Sequence, residues 1–338
     1  MPTPVLSGTY AFNPSAYYIV LRALRQVQAI AQGEVPSDAE AQDAAFALNS
    51  LIKAWQGSGI HVWAEADYTL FLQPNQTSYN LGLGTTDQWT LSSQWQQLVV
   101  SQNAAAGQNV IIVNSVASIA TNYFIGVQTN AGSIFWSVID NINGFGTNSI
   151  FMNGALPSAV TGGALAFSYA QSPAYPRPLR IPAGRRYIYQ GAAGGAVSGQ
   201  PNEIPLIPMS RLDYAAQPNK SNTGAVTQFF YDPQYDPTGV WYCWPTPQDD
   251  MSGIKFTGQR PLQDVDVLTN LVDFPKEWIN ALTWNLALEL GAEYDVVPER
   301  YEMIKEQAQR WYAMASSWDR ETGSVLFGAA NNPAYRSG

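Results

Sequence analysis

The sequence predicts an α+β protein in which a discontinuous helical domain of two αα-hairpins carries a large inserted antiparallel β domain and ends in an extended C-terminal tail. Apolar residues recur at helical spacing near both ends of the 338-residue chain, and short β-rich runs separated by Asn, Gly and Pro lie between them. Since one helical hairpin leaves an apolar face uncovered, we expect the two hairpins to pack together. The predicted boundaries are 1–60 with 273–322 for the helical domain, 61–272 for the β domain and 323–338 for the tail.

The N-terminal hairpin follows from its start and stop signals. Asn13-Pro14-Ser15 is a capping sequence, which predicts that a helix begins there. Gly33 is expected to end this helix. Ser37 and Glu40 have the spacing of a capping box, in which each side chain bonds a free backbone N–H of the first turn. Apolar residues then recur on one face until Gly57-Ser58-Gly59, where we expect the second helix to end.

From His61 the apolar period changes to two, which is typical of strands. The Asn and Gly residues within 130–133 tolerate the positive φ of a tight turn, so 123–128 and 134–138 are expected to form a hairpin. The other short β-rich runs are 62–65, 68–72, 110–113, 227–231, 240–244 and 254–258.

Helical spacing returns near the C-terminus. One helix is expected to open near Asp273 and to close at Gly291, and a second begins at Pro298. Their apolar positions recur every three or four residues: Trp278, Leu282, Leu286 and Leu290, then Tyr301, Ile304, Ala308, Trp311, Ala315 and Trp318. Residues 323–338 show no periodicity and are expected to form an extended tail.

The charge balance argues against tight binding of nucleic acid or anionic lipid. The chain has 17 Lys and Arg residues against 26 Asp and Glu, a net charge of −9, and affinity for phosphate comes mainly from Lys and Arg. No Lys or Arg occurs between Lys53 and Arg177, which indicates either a Gln/Asn/Thr-rich β surface or a surface built into an assembly. With no signal sequence and no long apolar run, we expect a protein that matures in the cytosol without a membrane partner.

Few residues are candidates for chemistry. A single cysteine and a single histidine exclude an intrachain disulfide and a multi-Cys or multi-His metal site, and we predict no metal and no cofactor. Cys243 is expected to be a small buried hydrophobe, and His61 to be structural. Glu65 and Asp67 lie two apart on a predicted strand, as two carboxylates of a glycosidase could, but such pairs are common on solvated faces. We therefore predict no catalytic residue and no enzymatic activity.

A group of arginines breaks the stretch without cations. It consists of Arg177, Arg180, Arg185 and Arg186. Interleaved prolines exclude a helix, so we predict an extended basic strap. Because the rest of the chain is acidic, we expect these residues to form salt bridges with neighbouring subunits rather than to bind nucleic acid.

The order of several weak motifs resembles one family: the head-to-tail adaptors of short-tailed phages, also called tail accessory factors or packaged-DNA-stabilising proteins. The likeness covers both helical ends and the second half of the β region. The segments that carry it are 24–27, 37–40 and 54–60, then 230–233, 240–245, 274–278 and 286–287.

The resemblance implies a virion structural protein. Adaptors of this family form a ring, usually twelvefold, between the portal and the tail tube or nozzle, and they help to retain packaged DNA, which passes through the channel without specific binding. The resemblance implies a location in the virion neck, and in the host cytoplasm during assembly. The C-terminal segment commonly reaches the portal, so the candidate portal-binding residues are Val325, Leu326, Phe327 and Tyr335.

Two other classes stay open. One is a peptidoglycan or glycan hydrolase that uses Glu65 and Asp67. The other is a glycan-binding β module of a phage tail, which would be favoured if Trp and Tyr side chains line an exposed groove.

Overall fold

The computed structural model describes residues 12–58, 62–143, 147–171, 174–189, 191, 203–235 and 237–319. The protein is a mixed α+β structure, as the sequence predicts. The chain divides into two compact units. Met1–Trp63 with Leu262–Gly338 forms the first, here called the helical unit, and Ala64–Pro261 forms the second, here called the β unit.

The elements of the described residues are as follows in chain order. The helices are α1 Ala16–Gln26, α2 Asp38–Ser58, α3 Arg211–Ala216, α4 Ile279–Glu293 and α5 Pro298–Trp318. The strands are β1 Glu65–Phe71, β2 Ser78–Gly82, β3 Trp89–Leu91, β4 Trp95–Val99, β5 Val110–Ile112, β6 Tyr123–Gln128, β7 Ile134–Asn143, β8 Ser149–Met152, β9 Leu165–Ala170, β10 Arg180–Ile188, β11 Glu203–Pro205, β12 Ile207–Pro208, β13 Thr223–Gly224, β14 Gln228–Asp232, β15 Thr238–Trp244, β16 Thr246–Pro247 and β17 Ser252–Gln259.

In the helical unit α4 is the central helix. It contacts α1, α2 and α5, and Leu282, Leu286 and Leu290 have no exposed surface. A helix covered by three neighbours needs apolar residues around most of its circumference, so the predicted stripe is only part of the buried surface of α4. α5 begins at Pro298, as predicted, because Pro suits the first helical position.

α1 differs from its prediction at both ends. It begins at Ala16, and Ser15, not Asn13, is the N-cap residue, without a side-chain bond to the helix. It ends at Gln26, well before Gly33, because Gln28 takes a φ of +61°. The N–H of Gln28 then donates to the Arg25 carbonyl and that of Ala29 to the Leu24 carbonyl. This is a Schellman motif with Gln where Gly is commonest, so the composition hid the true end of the helix.

The capping box of α2 is confirmed. The Ser37 N–H donates to Glu40 Oε2 over 2.8 Å, and the Glu40 N–H donates to Ser37 Oγ over 3.3 Å. The reciprocal bonds satisfy two N–H groups that the first turn of a helix otherwise leaves free.

Residues 262–272, assigned to the β domain from the sequence, bond to the helical unit. Lys53 Nζ on α2 donates to the Leu262 carbonyl over 3.0 Å. The N–H groups of Ala16 and Tyr17 at the start of α1 donate to the Asn270 and Leu268 carbonyls over 2.9 and 2.8 Å. These bonds explain why the observed division falls at 261/262 rather than at 272/273.

Four sheets make up the described β unit. The strand orders are β11-β10-β17-β1-β3, β12-β14-β15-β2, β4-β9-β6-β7-β8-β5 and β13-β16. The pairings are antiparallel except for β12 with β14 and β13 with β16, which are parallel. The predicted hairpin is confirmed, since β6 pairs with β7 in antiparallel register across a turn in which Gly132 has a φ of +77°.

The start of the β unit differs from the prediction. Residues 62–65 and 68–72 were expected to be two strands, but Val62–Ala64 is a 3-10 turn and β1 runs without a break from Glu65 to Phe71. β1 pairs with β17 along its whole length, which requires continuous extended backbone. α3 was not predicted, although Ser210 and Asp213 form a capping box at its start.

Candidate functional site

The carboxylates and the arginines singled out in the sequence meet on the five-stranded sheet. Arg180 Nη2 lies 3.7 Å from Glu65 Oε1, and Arg185 Nη2 lies 3.9 Å from Asp67 Oδ1. The arginines are on β10 and the carboxylates on β1, so both pairs span β17. Thr257 on β17 donates a 2.7 Å hydrogen bond to Asp67 Oδ1. Tertiary structure thus joins two groups that are far apart in sequence.

The ion pairs continue to the edge strand β11. Glu203 Oε2 lies 3.5 Å from Arg185 Nε, and Glu203 Oε1 accepts a 2.8 Å hydrogen bond from Lys255 Nζ. The Lys255 ammonium also lies 4.1 Å from the centre of the Tyr187 ring, within the range of a cation–π contact. We call Glu65, Asp67, Arg180, Arg185, Glu203 and Lys255 the charge network. Its members are partly exposed, so each pair contributes about 0–1 kcal/mol to stability.

The charge network gives both carboxylates structural partners within the chain. A glycosidase needs one carboxyl group as acid and the other as base or nucleophile, with the glycosidic bond between them. Here Glu65 and Asp67 each lie beside a guanidinium group of the same chain, and Asp67 also accepts a hydroxyl. This arrangement is typical of a structural ion-pair network.

The four arginines do not present one surface. The predicted extended conformation is confirmed for Arg180, Arg185 and Arg186, which lie on β10. Arg185 and Arg186 are consecutive in a strand, so their side chains point to opposite faces. Arg177 precedes the strand and hydrogen-bonds Tyr231, where burial raises the tyrosine pKa and Arg177 partly opposes that rise. The predicted strap is therefore extended along β10, and its side chains lie on both faces of the sheet.

Other predicted residues are either buried or outside the described part of the chain. Cys243 is fully buried and free, as predicted, and Trp241 Nε1 lies 3.3 Å from its Sγ atom. Burial raises the pKa of the Cys243 thiol to about 12. His61 and the candidate portal-binding residues Val325, Leu326, Phe327 and Tyr335 lie outside the described residues.

A groove of about 260 Å³ in the β unit bears on glycan binding. Aromatic side chains line it together with polar ones, but Trp89 and Tyr169 are only 6% and 5% exposed, so neighbouring groups cover their ring faces. The Asp87 carboxylate accepts from Gln76 Nε2 over 2.6 Å and from the Asn80 N–H over 2.7 Å. Sugar binding requires free ring faces and free polar groups. At this groove the Trp89 and Tyr169 rings and the Asp87 carboxylate are already used by the fold.

Sequence reasoning missed a hollow of about 570 Å³ at the C-terminal end of α1. Arg22 and Arg25 on α1 and Arg300 on α5 line it, together with Gln26, Gln28, Ile30, Ala31 and Gln32. The spacing of Arg22 and Arg25 signals that they share one helix face. No local pattern shows that Arg300 joins them.

The comparisons with known proteins leave the family open. The sequence matches no protein-family model and no curated protein. Among the helices that the structure describes, none has both the length and the apolar character needed to cross a bilayer.

Proposed function

We propose that the protein is a virion structural component of a short-tailed phage: a head-to-tail adaptor that forms a ring with copies of itself, joins the portal to the tail tube or nozzle, and helps to retain packaged DNA until ejection. In this proposal the helical unit is a single adaptor domain of two αα-hairpins, and the β unit is an insertion in it.

One observation carries the proposal. The N-terminal and C-terminal segments in which the resemblance resides meet in one aromatic cluster. The ring of Trp55 lies 5.4 Å from that of Trp278, 6.1 Å from that of Phe274 and 5.1 Å from that of Tyr312, measured between centroids. Trp278 has no exposed surface, so this contact is part of the core. A resemblance spread over both chain ends is easier to explain when these ends build one unit.

The surface of the helical unit supports an assembly role. Several large apolar side chains on it are well exposed, among them Phe12 at 67%, Phe46 at 78% and Trp318 at 57%. Single exposed apolar side chains are common, but several on a unit of this size suit a surface that partners cover. We propose that neighbouring subunits and the portal cover them.

The remaining contacts are assigned within this proposal. Val325, Leu326, Phe327 and Tyr335 would bind the portal. Arg177, Arg180, Arg185 and Arg186 would contact the next subunit, with Arg180 and Arg185 sharing their charge between the charge network and that neighbour.

Native mass spectrometry of the full chain, alone and mixed with the portal protein of the same phage, tests the proposal. We expect rings when the portal is present, and fewer rings for the double variant Phe46→Ser, Trp318→Ser. The matched control is Tyr235→Ser, because Tyr235 is 93% exposed but belongs to the β unit. A chain that stays monomeric and does not bind the portal would overturn the adaptor proposal.

A further inference from the structure

The hollow at the end of α1 brings together cationic side chains from two helices that are distant in sequence. Arg22 and Arg25 are three residues apart on α1 and therefore lie on the same face. Arg300, in the first turn of α5, reaches them because its Nε donates a 2.6 Å hydrogen bond to the Gln26 carbonyl. That carbonyl is among those that the end of a helix leaves without an intrahelical partner.

Part of this arrangement is structural. Cations near a helix C-terminus offset its partial negative charge, and Arg300 does so directly. Arg25 Nη2 donates to the Glu34 carbonyl over 3.3 Å, which helps to hold the turn after α1. The Arg22 side chain makes no hydrogen bond within the described residues and is exposed. Capping of α1 therefore explains Arg25 and Arg300 only in part, and Arg22 not at all.

The donors of the three arginines are largely unused. A guanidinium carries five N–H donors, yet the bonds above use one each from Arg25 and Arg300. Arg25 Nε is buried without a partner. None of the three forms an ion pair with any acidic residue that the structure describes. Glu34, a neighbouring carboxylate, instead accepts the Ala31 N–H over 2.8 Å.

Uncompensated cations in one hollow are unusual for a chain with 17 basic and 26 acidic residues. Elsewhere in the protein, as in the charge network, arginines lie beside carboxylates of the same chain. Like charges brought together without a counterion repel each other, so an anion in the hollow is favoured. Gln26, Gln28 and Gln32 on the lining carry side-chain amides that can add neutral donors.

We propose that Arg22, Arg25 and Arg300 bind a phosphate group in this hollow. A carboxylate offers two oxygens and one negative charge. Three guanidinium groups have more donors and more positive charge than one carboxylate can match. A phosphate offers at least two free oxygens as a diester and three as a monoester, whose charge approaches −2, and guanidinium groups bind such oxygens in pairs. The hollow is open and large enough for the phosphate to be part of a nucleic-acid backbone or to be free. The inference does not depend on the proposed adaptor role.

Isothermal titration of the full chain with inorganic phosphate, and fluorescence anisotropy with a labelled DNA duplex at low and moderate salt, test the site. Arg22→Gln should weaken phosphate binding about tenfold or more, because a hydrogen bond to a charged group is lost. The control is Arg310→Gln, since Arg310 is an exposed arginine of α5 outside the hollow and should have no effect. Arg22→Lys keeps the charge and should lose less than Arg22→Gln.

Titration with inorganic phosphate and with DNA distinguishes a nucleic-acid backbone from a free phosphate as the ligand. Competition between DNA and phosphate, lost in Arg22→Gln, would identify a nucleic-acid backbone as a ligand. Phosphate binding without DNA binding would identify free phosphate or a phosphomonoester, and either result supports the site.

The proposal is overturned if phosphate does not bind, or if Arg22→Gln and Arg310→Gln bind it equally. It is also overturned if a glutamate-rich peptide binds in an Arg22-dependent way and phosphate does not, since the hollow would then be a protein contact. Circular dichroism melts of each variant confirm that the fold is retained.

Discussion

Asn49 on α2 and Val265 form a reciprocal pair of hydrogen bonds across 216 positions of sequence. Asn49 Nδ2 donates to the Val265 carbonyl over 3.1 Å, and the Val265 N–H donates to Asn49 Oδ1 over 2.9 Å. The side-chain amide of Asn49 thus satisfies both backbone groups of Val265. Val265 follows the β unit in the chain and is only 5% exposed. This pair joins the two chain segments of the helical unit.

We expect Asn49→Ala to lower the free energy of unfolding of the helical unit by about 1–3 kcal/mol, because both backbone groups of the mostly buried Val265 lose their partner. Urea unfolding followed by circular dichroism at the helical band measures the change. The control is Asn13→Ala, since Asn13 is exposed and its predicted capping bond is absent from α1. Equal stabilities of the two variants would contradict a stabilising role for the Asn49–Val265 pair.

The same Ser→Ala substitution should have effects of different size at the two helix starts of the N-terminal region. Ser37→Ala removes the capping box of α2 and should cost about 1 kcal/mol. Ser15→Ala should change stability little, because the Ser15 side chain makes no bond to α1. Thermal melts of the two variants check this, and a larger loss for Ser15→Ala would show that the assignment of the caps is wrong.

Cys243 should be unreactive in the folded protein. It is fully buried, and burial raises the pKa of its thiol to about 12, so almost no thiolate exists at pH 8. A thiol reagent should label the native chain far more slowly than the chain in denaturant, which serves as its own control. Rapid stoichiometric labelling without denaturant would mean that β15 opens readily.

The β unit should lose stability as the pH rises above about 9. Burial raises the pKa of Tyr68 from 10.0 to about 12 and that of Cys243 from 9.0 to about 12, and it also raises those of Tyr79 and Tyr169. The folded state holds these protons more tightly than the unfolded state, so stability is full below the unfolded pKa values and falls above them. Each such group lowers the free energy of unfolding by roughly 1.4 kcal/mol per pH unit between its pKa in the unfolded state and its pKa in the folded state.

Urea unfolding at several pH values, with the near-ultraviolet absorbance of phenolate as a second probe, measures this loss. Tyr68→Phe removes one of the titrating groups and should make the decline with pH less steep. Stability that stays constant between pH 8 and 11 would contradict the burial of these groups.

Substitution of both strand carboxylates should leave function intact. Glu65→Gln with Asp67→Asn removes two exposed ion pairs and should cost less than about 2 kcal/mol in all. We expect no peptidoglycan release from either the unmodified chain or the double variant, and unchanged particle assembly. Release by the unmodified chain that the double variant abolishes would instead support the hydrolase.

Much of the secondary structure could be predicted because its causes are local. The capping box of Ser37 and Glu40 involves neighbouring residues, and so do the β6–β7 turn and the apolar spacing of α4 and α5. Local reasoning was wrong where two local signals competed. α1 ends at Gln26, because Gln28 adopts positive φ without being Gly, and not at Gly33, where the composition indicated a stop.

The sequence by itself determined the α+β class, the positions of most helices and several strands, and the burial of Cys243, since propensity, capping and apolar period act over a few residues. Only the tertiary structure decided which distant groups meet. Asn49 bonds Val265, Glu65 lies beside Arg180, and Arg300 joins Arg22 and Arg25 at one hollow. These contacts depend on how helices and strands pack, and packing is selected by the burial of the whole apolar surface, which no short window of sequence contains.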